Sequence, residues 1–368
     1  MSKLLKDEID VKSIKKLAVL LNQQAPDFDI EQFQQRVFCE NWTGLTLKQR
    51  IRHLSTVLNQ QFNTPYKRDY LTCLRLLKPV SVEFSGLFHF VFADFVACFG
   101  VDFYEASIEA LALFTQKSTA EFAIRVFLES QPENTKVKLL EWSLSDNAHL
   151  RRLASEGVRP RLPWAKHLPW IANNPDWVKP IIENLKSDSS LYVRKSVANL
   201  LNDLSKTQAD WVMDLCTVWN QNQQATSETL WIRKQALRTL LKQANPRALG
   251  LIGYPDIEQI QLDSWQCDSL VKIGQTLNWS FRLSAEKKLG LLRVEYAISF
   301  LRKRQKPYRK VFKIAESDYS ARHKLFSKHH DFKPITTRNY VAGRHKFELL
   351  VNGQVIKTTC FDLNGVQD

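Results

Sequence analysis

Acidic and basic side chains occur together at helical spacing in the middle of the chain. Glu156 follows Arg152 by four residues, and Asp203 follows Lys195 by eight, so each pair lies on one face of a helix. A carboxylate fixed in such a position can stabilise positive charge on a substrate, and it can orient a water molecule for attack. These carboxylates are therefore candidates for chemistry.

Other common catalytic arrangements have no support in the sequence. It contains no Gly-rich phosphate loop, no Walker motif, no Ser-His-Asp order and no metal-ligand spacing, and the pair His329-His330 stands alone. We therefore expect no nucleotide hydrolysis, no dinucleotide redox chemistry, no zinc catalysis and no cofactor.

An internal repeat indicates how these residues are positioned. Three segments share the pattern apolar, Arg, basic, any residue, small apolar; they are His149–Ala154, Tyr192–Val197 and Trp231–Ala236. The shared arginines at positions 151, 194 and 233 are 43 and 39 residues apart, close to the period of HEAT-like helical pairs. Such repeats stack into an α-helical solenoid with one extended concave surface. The shared arginines could instead form ion pairs within each repeat.

After about residue 250, the helical period gives way to alternation. Four segments are typical of half-buried strands; they are 270–273, 277–283, 293–298 and 346–349. Asn352-Gly353 between two apolar segments predicts a β-hairpin. We therefore predict a mainly α protein with two domains, a HEAT-like repeat over 1–255 and a small immunoglobulin-like β-sandwich over 265–368.

The positive charge is concentrated in the predicted β domain. The chain has a formal net charge of +14, and residues 271–368 hold 20 Lys and Arg against 8 Asp and Glu. Such a surface suits a polyanion, because each neutralised phosphate releases counterions; a solvated basic surface is the alternative. The basic residues between the predicted strands are expected on loops and edges where phosphates can reach them; they are Arg302, Lys303, Arg304, Lys306, Arg309 and Lys310.

The six cysteines and the apolar segments indicate an intracellular protein. The cysteines are scattered with no C-x-x-C pair, so we expect reduced thiols and a cytoplasmic location. The N-terminal segment carries acids where a signal peptide needs apolar residues. The longest apolar segment, Leu87–Gly100, is too short to span a bilayer, so we expect a buried core helix and no membrane partner.

The segment Arg151–Ala165, with sequence RRLASEGVRPRLPWA, resembles the AlkC family of DNA alkylation-repair glycosylases. The resemblance continues through Leu191–Asn199 and into Asn202-Asp203. It implies HEAT-like repeats, in some members followed by an immunoglobulin-like domain. It also implies hydrolysis of the N-glycosidic bond of cationic N-methylated bases, such as 3-methyladenine and 3-methylcytosine, in DNA. The base need not be flipped into a deep pocket.

The sister family AlkD has a Trp-Asp-x-x-Asp-like site, and this sequence contains no clear copy of that motif. Asp176-Trp177 reverses its order. We therefore transfer no catalytic residue from AlkD.

Three carboxylates are the catalytic candidates under this resemblance. Glu156 comes first, beside Gly157, where its helix should stop. Asp203 comes second, because the repeat alignment places its helix next to that of Glu156. Glu121, at the start of the helix that includes residues 121–125, lies near the same groove by the family's pattern. Each also has a structural alternative. Glu156 could cap its helix or pair with Arg159 or Arg161, and Asp203 could cap the turn before Ser205-Lys206. Glu121 could be a first-turn acid favoured by the helix dipole.

The contacts with DNA are assigned to aromatic and basic residues. Trp164 follows Pro163, so we expect it exposed on a rigid turn, where its ring could face a cationic base or the deoxyribose; a core tryptophan is the alternative. The predicted phosphate-binding residues are Arg152, Arg159, Arg161, Lys195, Arg302, Arg304 and Lys306.

The function expected from all of this is that of a monomeric, monofunctional glycosylase that acts on double-stranded alkylated DNA without a nucleotide cofactor. Two other functions fit the same architecture: a DNA-binding HEAT-repeat protein without catalysis, and a HEAT-type scaffold that binds proteins.

Overall fold

A computed structural model describes residues 4–63, 68–221, 225–255, 257–302, 305–333 and 340–365. The chain forms two compact units. The first unit consists of Met1–Gln208 and Thr226–Ala236, and the second of Ala209–Ala225 and Leu237–Asp368. These units do not coincide with the two functional domains predicted from the sequence, 1–255 and 265–368. That functional division remains a prediction.

The described part of the first unit is helical. Its α-helices are α1 (Val11–Gln24), α2 (Ile30–Val37), α3 (Leu47–Asn63), α4 (Tyr70–Ser81), α5 (Phe90–Phe99), α6 (Tyr104–Phe114), α7 (Glu121–Ser130), α8 (Pro132–Trp142), α9 (Ala148–Glu156), α10 (Pro169–Asn173), α11 (Lys179–Leu185) and α12 (Leu191–Leu204), followed after α13 of the second unit by α14 (Ser227–Ala236). Several begin at an Asp or Asn whose side chain accepts a hydrogen bond from a first-turn N–H; these caps are Asp10, Asp29, Asp69 and Asn147.

The helices pack in two layers, as expected of a helical repeat. Helix α5 lies between α3 and α7, and α12 lies between α9 and α14; in the other layer α4 contacts α6, and α8 contacts α11. The three aligned segments fall on α9, α12 and α14. The predicted repeat is therefore confirmed, and neighbouring copies of the motif lie side by side.

The shared arginines of the repeat make contacts within the first unit. Arg151 binds the Asp188 carboxylate through Nε and Nη2 at 2.6 and 3.1 Å and donates to the Ser145 carbonyl at 2.9 Å. Arg194 donates to the carbonyls of Asp188 and Ser189 at 2.8 and 2.7 Å. Each of these two arginines binds its helix to the loop before it. This favours the alternative that the shared arginines of the repeat have a structural role.

The second unit contains α13 (Ala209–Gln221), α15 (Arg238–Lys242) and α16 (Pro246–Ile252) together with two β-sheets. The described strands are β1 (Gln261–Cys267), β2 (Leu270–Lys272), β3 (Thr276–Ser284), β4 (Gly290–Arg302), β5 (Gln305–Tyr319), β6 (His323–Asp331), β7 (Gly343–Val351) and β8 (Gln354–Asn364). One sheet has the order β1-β3-β6, and the other has the order β2-β8-β7-β4-β5. Apolar side chains from both sheets form one core, including Phe281 of β3 and Phe347 of β7. The predicted C-terminal β-sandwich is confirmed.

The predicted hairpin joins β7 to β8. Val351 pairs with Gln354, and the turn residues Asn352 and Gly353 have φ angles of 48° and 77°. Both values lie in the left-handed region that Asn and Gly tolerate best. Asn352 is also buried, and its Oδ1 accepts a hydrogen bond from the Arg293 N–H at 3.0 Å.

The described basic residues that follow β4 lie at a sheet edge, which is one of the two places predicted for them. Lys306, Arg309 and Lys310 belong to β5, the edge strand of its sheet, and not to a loop. The strand continues because β4 and β5 pair along most of their length. Lys303 and Arg304 lie outside the described residues.

The longest apolar segment forms α5, which is buried as expected. Among the helices that the structure describes, none combines the length and the apolar character needed to cross a membrane.

Candidate active site

Three carboxylates and two guanidinium groups form one connected network in the first unit. Arg152 contacts the Glu121 carboxylate, and its Nη2 lies 3.7 Å from Glu156 Oε1. Arg159 bridges the other pair, with Nη1 2.6 Å from Glu156 Oε1 and Nε 2.9 Å from Asp203 Oδ2. We call these five residues the carboxylate network. It unites all three catalytic candidates predicted from the sequence.

Helix α9 supplies the centre of this network, because Arg152 and Glu156 lie one turn apart on it. The helix ends at Glu156, as predicted, and Gly157 follows. Gly157 has an ordinary helical φ of −61°, so its backbone conformation does not require a glycine at this position. A Cβ atom there would lie 2.6 Å from Ile124 Cγ2 on α7. The glycine therefore lets the end of α9 approach α7, which carries Glu121.

A second residue of α7, Arg125, holds the loop after α9. Its guanidinium donates to the carbonyls of Gly157, Arg159 and Lys166 at 3.0, 2.8 and 2.6 Å. Burial lowers the pKa of Arg125 to about 10, so it still carries its charge at neutral pH. The loop that carries Arg159 is thus fixed by three hydrogen bonds from a neighbouring helix.

The surroundings of Arg159 decide its role. Burial alone would lower its pKa, but the adjacent carboxylates of Glu156 and Asp203 outweigh that effect and raise the pKa. The residue is 8% exposed. A guanidinium that is buried and already bound to two carboxylates is poorly placed to bind phosphate. The structure therefore favours a positioning role for Arg159 over the predicted phosphate contact. Arg152 is less buried, with a side chain 13% exposed, but it too contacts a carboxylate, that of Glu121.

The five residues of the carboxylate network carry one net negative charge, since three carboxylates face two guanidinium groups. The Lys206 ammonium brings a third positive charge to the edge of the network, with its Nζ 3.1 Å from Asp203 Oδ1 and its side chain 33% exposed. A negative site of low solvent access stabilises a developing cation better than an exposed one, because the effective dielectric constant is lower. The arrangement can therefore stabilise a cationic transition state.

Trp164 lies on an exposed turn, as predicted. Its residue exposure is 55%, and its φ of 64° lies in the left-handed region, which is unusual for a residue with a Cβ atom. The Lys48 ammonium donates a hydrogen bond to the Trp164 carbonyl from α3. The tryptophan therefore has a strained backbone conformation, which is common at functional sites.

The other predicted phosphate-binding residues lie on exposed surfaces. Arg161 and Lys195 are exposed in the first unit, and neither has an ion-pair partner among the residues that the structure describes. In the second unit Arg302 stacks on the Tyr308 ring at 4.6 Å, and Lys306 is exposed on β5. Arg304 lies outside the described residues.

Sequence reasoning missed two residues beside the network. Tyr192 has its ring 5.3 Å from the Arg152 guanidinium carbon. Burial raises the Tyr192 pKa, Arg152 opposes the shift, and the charges of Glu121 and Glu156 add to it. The repeat alignment could have pointed to Tyr192, since this residue occupies the same position as His149 and Trp231, and all three positions carry a ring.

The second residue that sequence reasoning missed is Thr119. Its hydroxyl accepts a hydrogen bond from Arg152 Nη1 at 2.7 Å and donates one to Glu121 Oε2 at 2.5 Å. No pattern in the sequence marks this threonine. Among the described residues, no group of three His, Cys, Asp or Glu side chains is arranged to hold a metal ion.

A helical repeat with buried carboxylates, followed by an Ig-like sandwich, matches known DNA repair proteins. Residues 101–240 match the family model described as DNA alkylation repair enzyme. Residues 261–365 match the model for the C-terminal Ig-like domain of uncharacterised protein YhaZ. The class defined by the fold and the matches is therefore that of DNA alkylation repair proteins.

Two full-length comparisons narrow the class to a family. Uncharacterized protein YhaZ of Bacillus subtilis (strain 168) is 39% identical over 353 residues, which are 95% of this chain and 97% of that protein. The structure of the Pseudomonas fluorescens alkylpurine DNA glycosylase AlkC, bound to DNA containing an abasic site analog, is similar with a TM-score of 0.88 and 34% identity, covering 98% of this chain and 100% of that one. The chain belongs to the AlkC family of DNA alkylation-repair proteins, with a C-terminal Ig-like domain.

Proposed function

We propose that this protein is a monofunctional, cofactor-free DNA glycosylase. It hydrolyses the N-glycosidic bond of cationic N-methylated bases, of the 3-methyladenine and 3-methylcytosine class, in double-stranded alkylated DNA. The observation that supports this most is the carboxylate network, in which three buried carboxylates share only two guanidinium groups. The similarity to a DNA-bound alkylpurine glycosylase adds to it.

The chemistry fits a site of this charge. When the bond between the base nitrogen and C1′ breaks, its electron pair moves to the base and cancels the positive charge there. The base leaves neutral, so it needs no acid, while the sugar becomes an oxocarbenium-like cation. Water then adds to C1′ and gives its proton to a carboxylate. The buried carboxylates of the network stabilise the cation, which is the largest demand of this reaction.

The residues take different roles in this proposal. Glu156 and Asp203 stabilise the sugar cation and orient the water, with Glu121 as the third carboxylate. Arg152 and Arg159 are positioning residues, since their guanidinium groups hold the carboxylates in place. The exposed ring of Trp164 contacts the base or the deoxyribose.

Phosphate contacts come from exposed cations. In the first unit these are Arg161 and Lys195. In the basic β domain the proposed contacts are Arg302, Arg304 and Lys306. The proposed division of labour is a HEAT-like glycosylase domain over 1–255 and an Ig-like DNA-contacting domain over 265–368, in a protein that acts as a monomer.

The experiment measures release of free methylated base from DNA treated with a methylating agent. The wild type should release base, and Glu156→Gln and Asp203→Asn should each reduce the rate by about 100-fold or more, the usual effect of removing one group that stabilises transition-state charge. Glu121→Gln tests the third carboxylate. DNA binding, measured by fluorescence anisotropy, should persist in all three variants.

A matched control is available on α7. Glu129 belongs to the same helix as Glu121, but it is paired with Lys166 and its side chain is 41% exposed. Glu129→Gln should release base at the wild-type rate. If the wild type binds DNA and releases no base, the proposal fails and a non-catalytic DNA-binding function replaces it. If it does not bind DNA, the protein-binding scaffold becomes the better explanation.

A further inference from the structure

A cavity of about 670 Å³ lies beside the carboxylate network in the first unit. Its walls include residues of α3, α5 and α7, together with Trp164. Thr119 also lines it, and the hydroxyl of this residue is hydrogen bonded to both Arg152 and Glu121. The cavity and the network therefore share a side chain, and the exposed Trp164 belongs to the cavity wall. Cavities of this volume are typical of sites for small molecules.

The cavity wall is chiefly aromatic and aliphatic. Phe90 and Phe122 lie with ring centroids 5.9 Å apart at an angle of 50°, and Trp164 adds a third aromatic side chain. Flat aromatic ligands gain from offset and edge contacts with such rings. The polar groups in the wall include the Arg52–Asp94 pair, in which Arg52 Nε and Nη2 bind the carboxylate at 2.9 and 2.8 Å. They can exchange hydrogen bonds with the edge of a heterocycle.

The charges around the cavity favour a neutral ligand over a cationic one. Arg52 and Lys48 are positively charged, and among the residues that line the cavity only Asp94 is negative. The Lys48 ammonium also lies 5.5 Å from the centroid of the Phe122 ring. A second cation over that ring would meet an ammonium group already there. The cavity thus has one carboxylate in its wall, whereas the carboxylate network has three.

We propose that this cavity binds the methylated base after its bond to the sugar has been cut. The inference rests on the proposed function, because that reaction turns a cationic base into a neutral one. Before cleavage the base carries positive charge and is attracted to the carboxylates. After cleavage the electron pair of the broken bond has cancelled this charge, and the neutral, flat heterocycle suits the aromatic wall beside Thr119 and Trp164. The ligand class is therefore a free, uncharged N-methylated nucleobase.

The test measures binding of free 3-methyladenine to the full-length protein without DNA, by calorimetry and by quenching of tryptophan fluorescence. The wild type should bind the base, and a dimethylbenzimidazolium cation of similar size should bind about tenfold more weakly. Ala97 of α5 lines the cavity and is only partly buried, so Ala97→Phe should fill part of the space and weaken binding of the base by at least about tenfold.

Ala112→Phe is the matched control, because Ala112 is also a partly buried helical alanine, on α6, and does not line the cavity. It should bind the base within about twofold of the wild type, and melting curves should confirm that both variants are folded. The proposal is overturned if the folded wild type does not bind 3-methyladenine, if Ala97→Phe binds it as well as Ala112→Phe does, or if the cation binds more tightly than the neutral base.

The outcome is independent of catalysis, since no DNA is present. Glu156→Gln, which the glycosylase proposal expects to be inactive, should bind the free base as the wild type does. Base binding without base release from methylated DNA would refute the glycosylase and leave the cavity as a nucleobase site. Base release without binding of the free base would refute only the cavity proposal.

Discussion

Replacing Arg159 by Met tests whether the carboxylate network is a physical unit. The side chains of Arg159, Glu156 and Asp203 are only 9%, 8% and 3% exposed, so the variant leaves two buried carboxylates without their shared partner. Breaking a buried ion pair in this way typically costs about 3 to 5 kcal/mol. Each carboxylate keeps one weaker contact, with Arg152 at 3.7 Å and with Lys206 at 3.1 Å. We therefore expect the lower end, a loss of about 3 kcal/mol in the free energy of unfolding.

Urea titration followed by circular dichroism measures this loss. Arg161→Met is the matched control, since Arg161 is an exposed arginine two residues further along, and it should cost less than about 0.5 kcal/mol. The double variant Arg159→Met/Asp203→Asn should recover part of the loss, because the neutral amide needs no cation; a double-mutant cycle gives the coupling. Equal stability of the Arg159→Met and Arg161→Met proteins would refute the reasoning.

Three further predictions concern residues around this site and in the core of the first unit. Burial, helped by the charge of Lys117, lowers the pKa of His89 from 6.5 to about 4, so the unfolded chain binds the proton more readily than the folded protein does. The contribution of His89 to the free energy of unfolding should therefore be fully present above pH 6.5, and about 3 kcal/mol should be lost as the pH falls towards 4. His89→Leu should remove this pH dependence, which urea titrations at several pH values measure. Gly157→Ala should lower stability by about 1 to 3 kcal/mol, because the new Cβ would lie 2.6 Å from Ile124 Cγ2. Ile124→Ala removes that methyl group, so in a double-mutant cycle the combined loss should be smaller than the sum of the two single losses. Trp164→Gly and Trp164→Ala should lose base release equally, but the Gly variant should be more stable by about 1 kcal/mol because only glycine adopts a φ of 64° without strain; equal melting temperatures would contradict this.

Much of the fold could be predicted because its determinants are local. Helical periodicity and the recurrent Arg motif identified a helical repeat, and α9, α12 and α14 carry the three copies. Alternation of apolar residues and the Asn352-Gly353 turn identified the sandwich and its hairpin. The resemblance to one family then directed attention to three carboxylates that the structure brings together in one network.

The sequence by itself determined which residue types recur on which helix face. It therefore placed Glu156 on the same helix face as Arg152, and it placed the helix of Asp203 next to that of Glu156. Only the tertiary structure decided what those residues contact. Arg159 follows the end of α9, and its place between Glu156 and Asp203 depends on a loop that Arg125, 34 positions earlier, holds by hydrogen bonds. Contacts of this kind join helices distant in the chain, so no local period records them. The cavity beside Thr119 has the same origin, because it is the space left when α3, α5 and α7 pack together.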